Sequence, residues 1–159
     1  MCIRDSTHTH THTHTHTGGC VINIVCKSSF SMGGAEIEPL STVQGKFDAC
    51  TTETEVVMRL TEYLGYVSAG THIVMGWPSN PYMVTKVALH RLTGIVSESL
   101  ANLAGKRYAH GVTCLSVDPG WIATAMGGSD APGTVEDGAR VVVSHILRAL
   151  TTQSELLSE

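Results

Sequence analysis

The sequence predicts an α/β fold in which about two parallel strands and three to four helices of a doubly wound sheet are visible. The apolar, β-branched runs GGCVINIVC at 18–26 and GVTCLSV at 111–117 are typical of strands buried on both faces. Segments with helical spacing of apolar residues lie between these runs and after the second one. Strand, helices, strand and helix follow in the order of a β-α-β crossover, which joins parallel strands.

The first predicted helix has signals at both ends. Thr52 is followed three residues later by Glu55, which is the spacing of a capping box, and Gly70 is expected to end the helix. Apolar residues recur at helical spacing within it, at Val56, Leu60 and Leu64. Residues 35–50 show no clear period, so no element is predicted there.

Two more helices follow. Asn80 is expected to cap a helix with Pro81 in its first turn, and a third helix is predicted over 134–150 with Thr134 as its cap. The polar residues 151–159 are left as a tail. The helix that starts at Pro81 is expected to run to about Leu103 and to bury Val84, Val87, Ala88, Leu92, Ile95, Leu100 and Leu103.

Composition excludes several classes of function. The 159 residues carry a formal net charge of −4 and 15% charged residues, so no basic excess indicates a nucleic acid or an anionic membrane as a partner. No apolar run approaches the roughly 20 residues that span a bilayer. The five cysteines form no CxxC pair, which favours reduced thiols in a cytoplasmic protein over a metal site or a disulfide framework. They are Cys2, Cys20, Cys26, Cys50 and Cys114.

Residues 1–17 stand apart from the remainder. The alternation THTHTHTHTHT at 7–17 is what an ACACAC repeat encodes, and the preceding MCIRDS resembles a translated sequencing adapter. We therefore interpret this tract as artefactual and disordered, and the predicted folded domain covers 18–150. The alternative interpretation is a metal-binding peptide, because alternate histidines share one face of an extended chain.

The motif SNPYMVTK at 79–86 carries the strongest chemical signal. Tyr82 and Lys86 are four residues apart, so their side chains meet on one helix face. A tyrosine has a pKa of about 10, and a neighbouring cation lowers that pKa by roughly 1–3 units, which suits proton transfer near neutral pH. The alternative is a pair of surface residues, since the motif alone also arises by chance.

Polar residues also follow both predicted strands. Ser28 and Ser29 come after the first strand, and DPGWIATAM at 118–126 comes after the second. The carboxyl ends of parallel strands meet at one edge of a sheet, where α/β enzymes bind their ligands. Pro119–Gly120 predicts a sharp turn that lets the backbone approach a flat ligand, and Thr124 offers a hydroxyl nearby.

Together these motifs resemble the short-chain dehydrogenase/reductase family, which has a Rossmann-like fold. GWPSNPYMVTK, QGKF at 44–47 and DPGWIATAMGG are similar to its carbonyl reductase branch. That branch has a long insertion between its serine and its tyrosine, and the separation of Ser29 from Tyr82 matches that insertion. The resemblance covers about residues 19–150.

The resemblance implies a role for each matching residue. Ser29 would orient the substrate carbonyl, Tyr82 would donate the proton, and Lys86 would tune Tyr82 and bind the nicotinamide ribose. The nicotinamide carboxamide would lie against Pro119, Gly120 and Thr124. Trp121 would line the substrate pocket, whereas Asn80, Met83 and Met126 are interpreted as neighbours. The implied function is NADPH-dependent reduction of a ketone or aldehyde, with a small-molecule carbonyl substrate and a monomeric protein.

The sequence also departs from the family. The 159 residues contain no T-G-x-x-x-G-x-G turn to bind a pyrophosphate, and the family's N-N-A-G strand is absent, so the chain is expected to be the carboxyl half of a reductase. Residues 25–27 are extra before Ser28, and they either displace Ser29 or mark a mis-spliced boundary. Asp118 stands where a neutral or thiol residue is expected. The open alternatives are a plant-type menthone or alkaloid ketone reductase, a catalytically inert fragment and a metal-binding peptide.

Overall fold

The computed structural model describes residues 19–25, 40–103 and 112–156. Within these ranges the chain forms two strands and four helices. The elements in chain order are β1 Gly19–Ile24, α1 Leu40–Asp48, α2 Glu53–Ser68, α3 Pro81–Leu103, β2 Val112–Val117 and α4 Val135–Leu156. The predicted α/β class and element order are confirmed.

The two strands are parallel neighbours, as the crossover predicts. Gly19 pairs with Val112 at one end and Ile24 with Val117 at the other, and the Val25 N–H continues the ladder by donating to the Val117 carbonyl over 2.9 Å. Because both strands run in the same direction, Val25 and the loop that follows Val117 lie at the same end of the sheet.

The caps of α2 and α3 agree with the sequence signals. The Thr52 side chain accepts the Glu55 N–H while the Glu55 carboxylate accepts the Thr52 N–H, which is a complete capping box. Gly70 follows the helix with a φ of 70°, a conformation that suits glycine just after a helix. Asn80 Oδ1 accepts N–H groups in the first turn of α3.

Most of the buried side chains lie among α1, α2, α3 and the α2–α3 loop. Trp77, which is only 2% exposed, stands in the middle of this core. Its ring lies 5.9 Å from that of Phe47 and 5.0 Å from that of Tyr63, measured between centroids. The buried cluster consists of Val43, Phe47, Cys50, Val56, Tyr63, Trp77, Met83, Val84, Val87, Ala88 and Ile95.

The prediction of fully buried strands is wrong for the described residues. Val21 is 50% exposed, and Ile24 and Val112 are also exposed. Only Cys114 and Val117 of β2 and Val25 just after β1 are buried. The reason is that the main cluster forms between helices, so the strands are covered over part of their faces only.

The apolar faces of the helices also differ in detail. Leu64 is 61% exposed while its neighbour Tyr63 is buried, because Tyr63 packs against Trp77. Leu103, the last residue of α3, is 43% exposed, and Leu92 and Leu100 are half-buried.

One helix and one helix boundary differ from the sequence prediction. Helix α1 was not predicted, because it places only Val43 and Phe47 of its described side chains in the core, and two apolar residues do not establish a period. Helix α4 continues to Leu156, beyond the predicted end at residue 150. No helix in the described ranges is long and apolar enough to cross a membrane.

Candidate functional site

The first turn of α3 fixes the position of Tyr82. Asn80 Oδ1 accepts the Tyr82 N–H over 3.0 Å and the Met83 N–H over 3.4 Å, so it satisfies two donors that the helix leaves unpaired. Pro81 needs no acceptor at this position. The Tyr82 ring, 39% exposed, projects from this turn into a cleft at the carboxyl end of the sheet.

Lys86 connects the same helix face to the end of β1. Its Nζ lies 5.5 Å from the centroid of the Tyr82 ring and donates to the Ile24 carbonyl oxygen over 2.8 Å. The ammonium is therefore held between the candidate proton donor and the last residue of the strand. The ammonium and the ring are close enough for a cation–π contact.

The cleft has a volume of about 550 Å³ and is bounded by residues from three segments of the chain. They come from the end of β1, the start of α3 and the loop after β2. The described lining residues are Ile24, Val25, Asn80, Tyr82, Pro119, Gly120, Trp121, Ile122, Thr124, Met126 and Gly127. Most of these are apolar, as is usual for a small-molecule site.

Asp118 shapes the turn that follows β2. Its Oδ1 accepts the Gly120 N–H over 2.9 Å, and Gly120 adopts a φ of 82°. No atom of the described residues lies within 4 Å of the point where a Cβ would stand on Gly120, so this part of the structure leaves the backbone open to a ligand. The aspartate that departs from the family pattern thus stabilises the turn that the pattern predicts.

Trp121 and Thr124 are engaged with Gly127 across the same loop. Trp121 Nε1 donates to the Gly127 carbonyl oxygen over 2.6 Å, and Thr124 Oγ1 accepts the Gly127 N–H over 3.0 Å. A Cβ on Gly127 would collide with the Ile122 carbonyl oxygen, so this turn requires glycine. A threonine hydroxyl that accepts one hydrogen bond can also donate its own proton.

The start of α4 supports the wall of the cleft from behind. Ile122 forms a bridge with Gly133, and its side chain would lie 3.0 Å from a Cβ placed on Gly138. Pro119 Cβ would lie 3.5 Å from the same point. The missing side chain of Gly138 therefore allows α4 to pack directly on the cleft loop.

The structure brings together most of the predicted site residues. Tyr82, Pro119, Gly120, Trp121 and Thr124 all line one cleft, and Lys86 contacts the Tyr82 ring. Their catalytic and binding roles stay predictions. Ser28 and Ser29 lie outside the described residues.

Sequence reasoning treated two residues of the cleft as mere neighbours. Asn80 lines it, and Met126, 87% exposed, stands at its surface. For Asn80 a signal existed, since a residue that caps the helix of Tyr82 must lie close to Tyr82. For Met126 the chain offers no local signal, because its position depends on how the loop after β2 folds back.

A parallel α/β sheet with a tyrosine and a lysine one helical turn apart at its carboxyl end is the arrangement of short-chain dehydrogenases/reductases. The chain is similar to the carbonyl reductase branch of that family. It is 32% identical to carbonyl reductase (NADPH) 1 of Oryctolagus cuniculus over 128 residues, or 79% of this chain. The matches in Bos taurus and Homo sapiens, also at 32% identity, cover 79% and 64% of the chain. No family model matches the chain.

The chain spans less than half the length of the curated relatives that it matches. The alignments cover 44% of the Oryctolagus protein, 43% of the Bos protein and 36% of the Homo protein. The predicted resemblance is confirmed for that part. The activity, substrates and partners of the whole relatives enter only as a proposal.

Proposed function

We propose that this chain carries the proton-transfer and substrate-binding part of an NADPH-dependent carbonyl reductase, which reduces a ketone or aldehyde to an alcohol. The observation that carries the proposal is the meeting of Tyr82, Lys86 and the Pro119–Gly120 turn at one end of a parallel sheet. The similarity to proteins named as NADPH carbonyl reductases supports it.

In this proposal Tyr82 protonates the substrate. Its hydroxyl donates a hydrogen bond to the carbonyl oxygen and gives up its proton as that oxygen gains negative charge. The phenolate that results is stabilised by the Lys86 ammonium, which the Ile24 carbonyl keeps beside the ring. General acid catalysis of this kind is worth about 10²–10⁴ in rate.

The cofactor would supply a hydride to the carbonyl carbon. The open backbone at Gly120 and the hydroxyl of Thr124 suit a flat carboxamide-bearing ring, and Lys86 would contact a ribose hydroxyl. No glycine-rich turn for a pyrophosphate occurs in the 159 residues. We therefore assign to this chain only the contacts with the nicotinamide and its ribose.

The test compares NADPH with reduced nicotinamide mononucleotide, which lacks the adenosine half. Binding is followed by nicotinamide fluorescence, and the rate by loss of absorbance in the presence of a ketone. We expect similar affinities for both compounds, because this chain contacts only the part that they share. Lys86→Ala should weaken both, and Tyr82→Phe should lower the rate by about 10²–10⁴ while leaving binding nearly unchanged.

Three results would count against the proposal. Much tighter binding of NADPH would show a pyrophosphate site that the motifs do not reveal. A rate that survives Tyr82→Phe would remove the tyrosine from the chemistry. If neither binding nor turnover is detected, the result favours the catalytically inert alternative, which the lack of a glycine-rich turn supports.

The remaining expectations belong to the same proposal. The partner is a small carbonyl compound rather than a nucleic acid or a membrane, and the protein works as a cytoplasmic monomer. The net charge of −4 supports the first of these statements.

A further inference from the structure

We propose that Asn80 both positions Tyr82 and donates a hydrogen bond from its side-chain amide to a second oxygen of the substrate. The preferred substrate would then be a ketone or aldehyde with another acceptor oxygen near its carbonyl. This inference rests on the proposed function and deepens it, because it assigns specificity to a residue that the motifs treat as a neighbour.

The helix cap fixes the orientation of the Asn80 amide. Its Oδ1 faces the N–H groups of Tyr82 and Met83, at 3.0 and 3.4 Å. A flipped amide would place Nδ2 against these donors and lose both bonds, so oxygen and nitrogen are assigned by the network. The two N–H groups of Nδ2 consequently point away from the helix start.

Nδ2 has no acceptor among the residues that the structure describes. Asn80 is exposed and lines the cleft, so its donors are available to a molecule that binds there. The other side-chain N–H donor among the described lining residues, the indole Nε1 of Trp121, already donates to the Gly127 carbonyl. Asn80 thus presents the side-chain N–H groups that a ligand meets next to Tyr82.

A donor of this kind has a strong influence in an apolar cleft. The surrounding lining includes Ile24, Val25, Ile122 and Met126, which offer a ligand no side-chain hydrogen bond. A few well-placed polar groups orient ligands in such sites. A ligand without the second acceptor would shield the Asn80 donors from water without replacing their hydrogen bonds, which costs affinity.

The test uses two neutral probes that differ by one acceptor, acetophenone and 2-methoxyacetophenone. Their affinities for the full chain are measured by ligand-detected NMR, which needs no turnover. We expect the methoxy compound to bind about tenfold more tightly, as one hydrogen bond in an apolar site allows.

Asn80→Asp is the informative variant because it keeps the capping oxygen and removes both donors. The preference for the methoxy compound should disappear, while the exchange protection of the Tyr82 and Met83 amides stays as in the wild type. Asn80→Ala removes the cap as well, so it should lose that protection together with the preference. The comparison separates the donor role from the structural role.

The outcomes distinguish this inference from the proposed function. If the wild type binds both ketones equally, or if Asn80→Asp keeps the preference, the amide does not donate to the substrate and the inference is wrong. If neither ketone binds the wild type, the cleft is not a carbonyl site and the proposed function fails with it. If the wild type prefers the methoxy compound and both Asn80→Asp and Asn80→Ala abolish this preference, the result supports the inference and the proposed function together.

Discussion

Asn80 and Asp118 perform the same physical task at the two sides of the cleft. In each, a side-chain oxygen accepts backbone N–H groups two or three residues later, which fixes a turn that carries cleft residues. Short side chains of this type compete for nearby backbone donors, which is why they favour caps and turns. The geometry around Tyr82 and Gly120 therefore depends on local hydrogen bonds.

Two glycines within helices, Gly138 and Gly65, differ in the space available for a side chain, so replacing each by alanine is expected to change stability in opposite directions. Gly138→Ala should destabilise the protein by about 1–3 kcal/mol, because its Cβ would lie 3.0–3.1 Å from the Ile122 side chain. Gly65→Ala should stabilise it by roughly 0.5–1 kcal/mol, because no atom in the described part of the chain lies within 4 Å of the new Cβ. Denaturant unfolding measures both changes.

The loop after β2, which lines the cleft, offers a second readout of the same pair of substitutions. Trp121 precedes Ile122, so its emission should change in Gly138→Ala and stay constant in Gly65→Ala. Equal stabilisation by both substitutions would contradict the close packing of α4 on the cleft loop.

At the scale of elements, capping boxes begin both α2 and α4. Thr52 pairs with Glu55, and Thr134 pairs with Asp137. The backbone N–H groups of Thr51 and Thr52 hold the pKa of Glu55 below its ordinary value. Backbone and side-chain hydrogen bonds from Thr134 lower the pKa of Asp137 in the same way. Both carboxylates also interact favourably with the positive end of their helix.

The lowered pKa of Glu55 predicts a pH dependence of stability. A carboxyl group whose pKa is lower in the folded state stabilises the fold above its unfolded pKa, and this contribution is lost as the pH falls through the folded value. Glu55→Gln should therefore lower the melting temperature at pH 7 and have progressively less effect on acidification. Thermal unfolding of both proteins between pH 7 and pH 3 measures this.

The capping threonine supplies the control for this titration. Thr52→Ala should cost about 0.5–2 kcal/mol at pH 7, because it leaves the Glu55 N–H without its acceptor. An effect of Glu55→Gln that stays constant over the whole pH range would show that the carboxylate charge does not stabilise α2.

At the scale of the molecule, the described residues place most of their buried volume among helices. Phe47, Tyr63 and Trp77 form an aromatic centre there, and Lys46 covers it with its Nζ at 4.8 Å from the Trp77 ring. The two strands contribute few of the buried side chains. Burial of side chains within the helical cluster is thus expected to contribute most of the stability of the described part.

This distribution predicts unequal effects of truncation. Phe47→Ala should destabilise the protein by about 3–5 kcal/mol, because a fully buried ring leaves a cavity. Val21→Ala should cost about 1 kcal/mol or less, since half of the Val21 side chain already faces solvent. Urea unfolding monitored by circular dichroism measures both values. Comparable losses would mean that the sheet contributes as much as the helical cluster.

The sequence by itself determined the features that depend on neighbours along the chain. The capping box at Thr52, the cap and proline before Tyr82, and the four-residue spacing to Lys86 all act within one helical turn, so they are legible without a structure. The order of elements also fixed the parallel pairing of the strands, because a crossover connection requires it.

The tertiary structure alone decided what depends on contacts between distant residues. Helix α1 is anchored by packing of Phe47 on Trp77, which lies thirty positions later in the chain. No pattern within residues 40–48 predicts this helix. The meeting of Asn80 and Tyr82 with the loop around Trp121 likewise needs the sheet that brings these segments together. The physical reason is that hydrogen bonds within a turn are set by a few adjacent residues, whereas burial is set by which distant surfaces fit against one another.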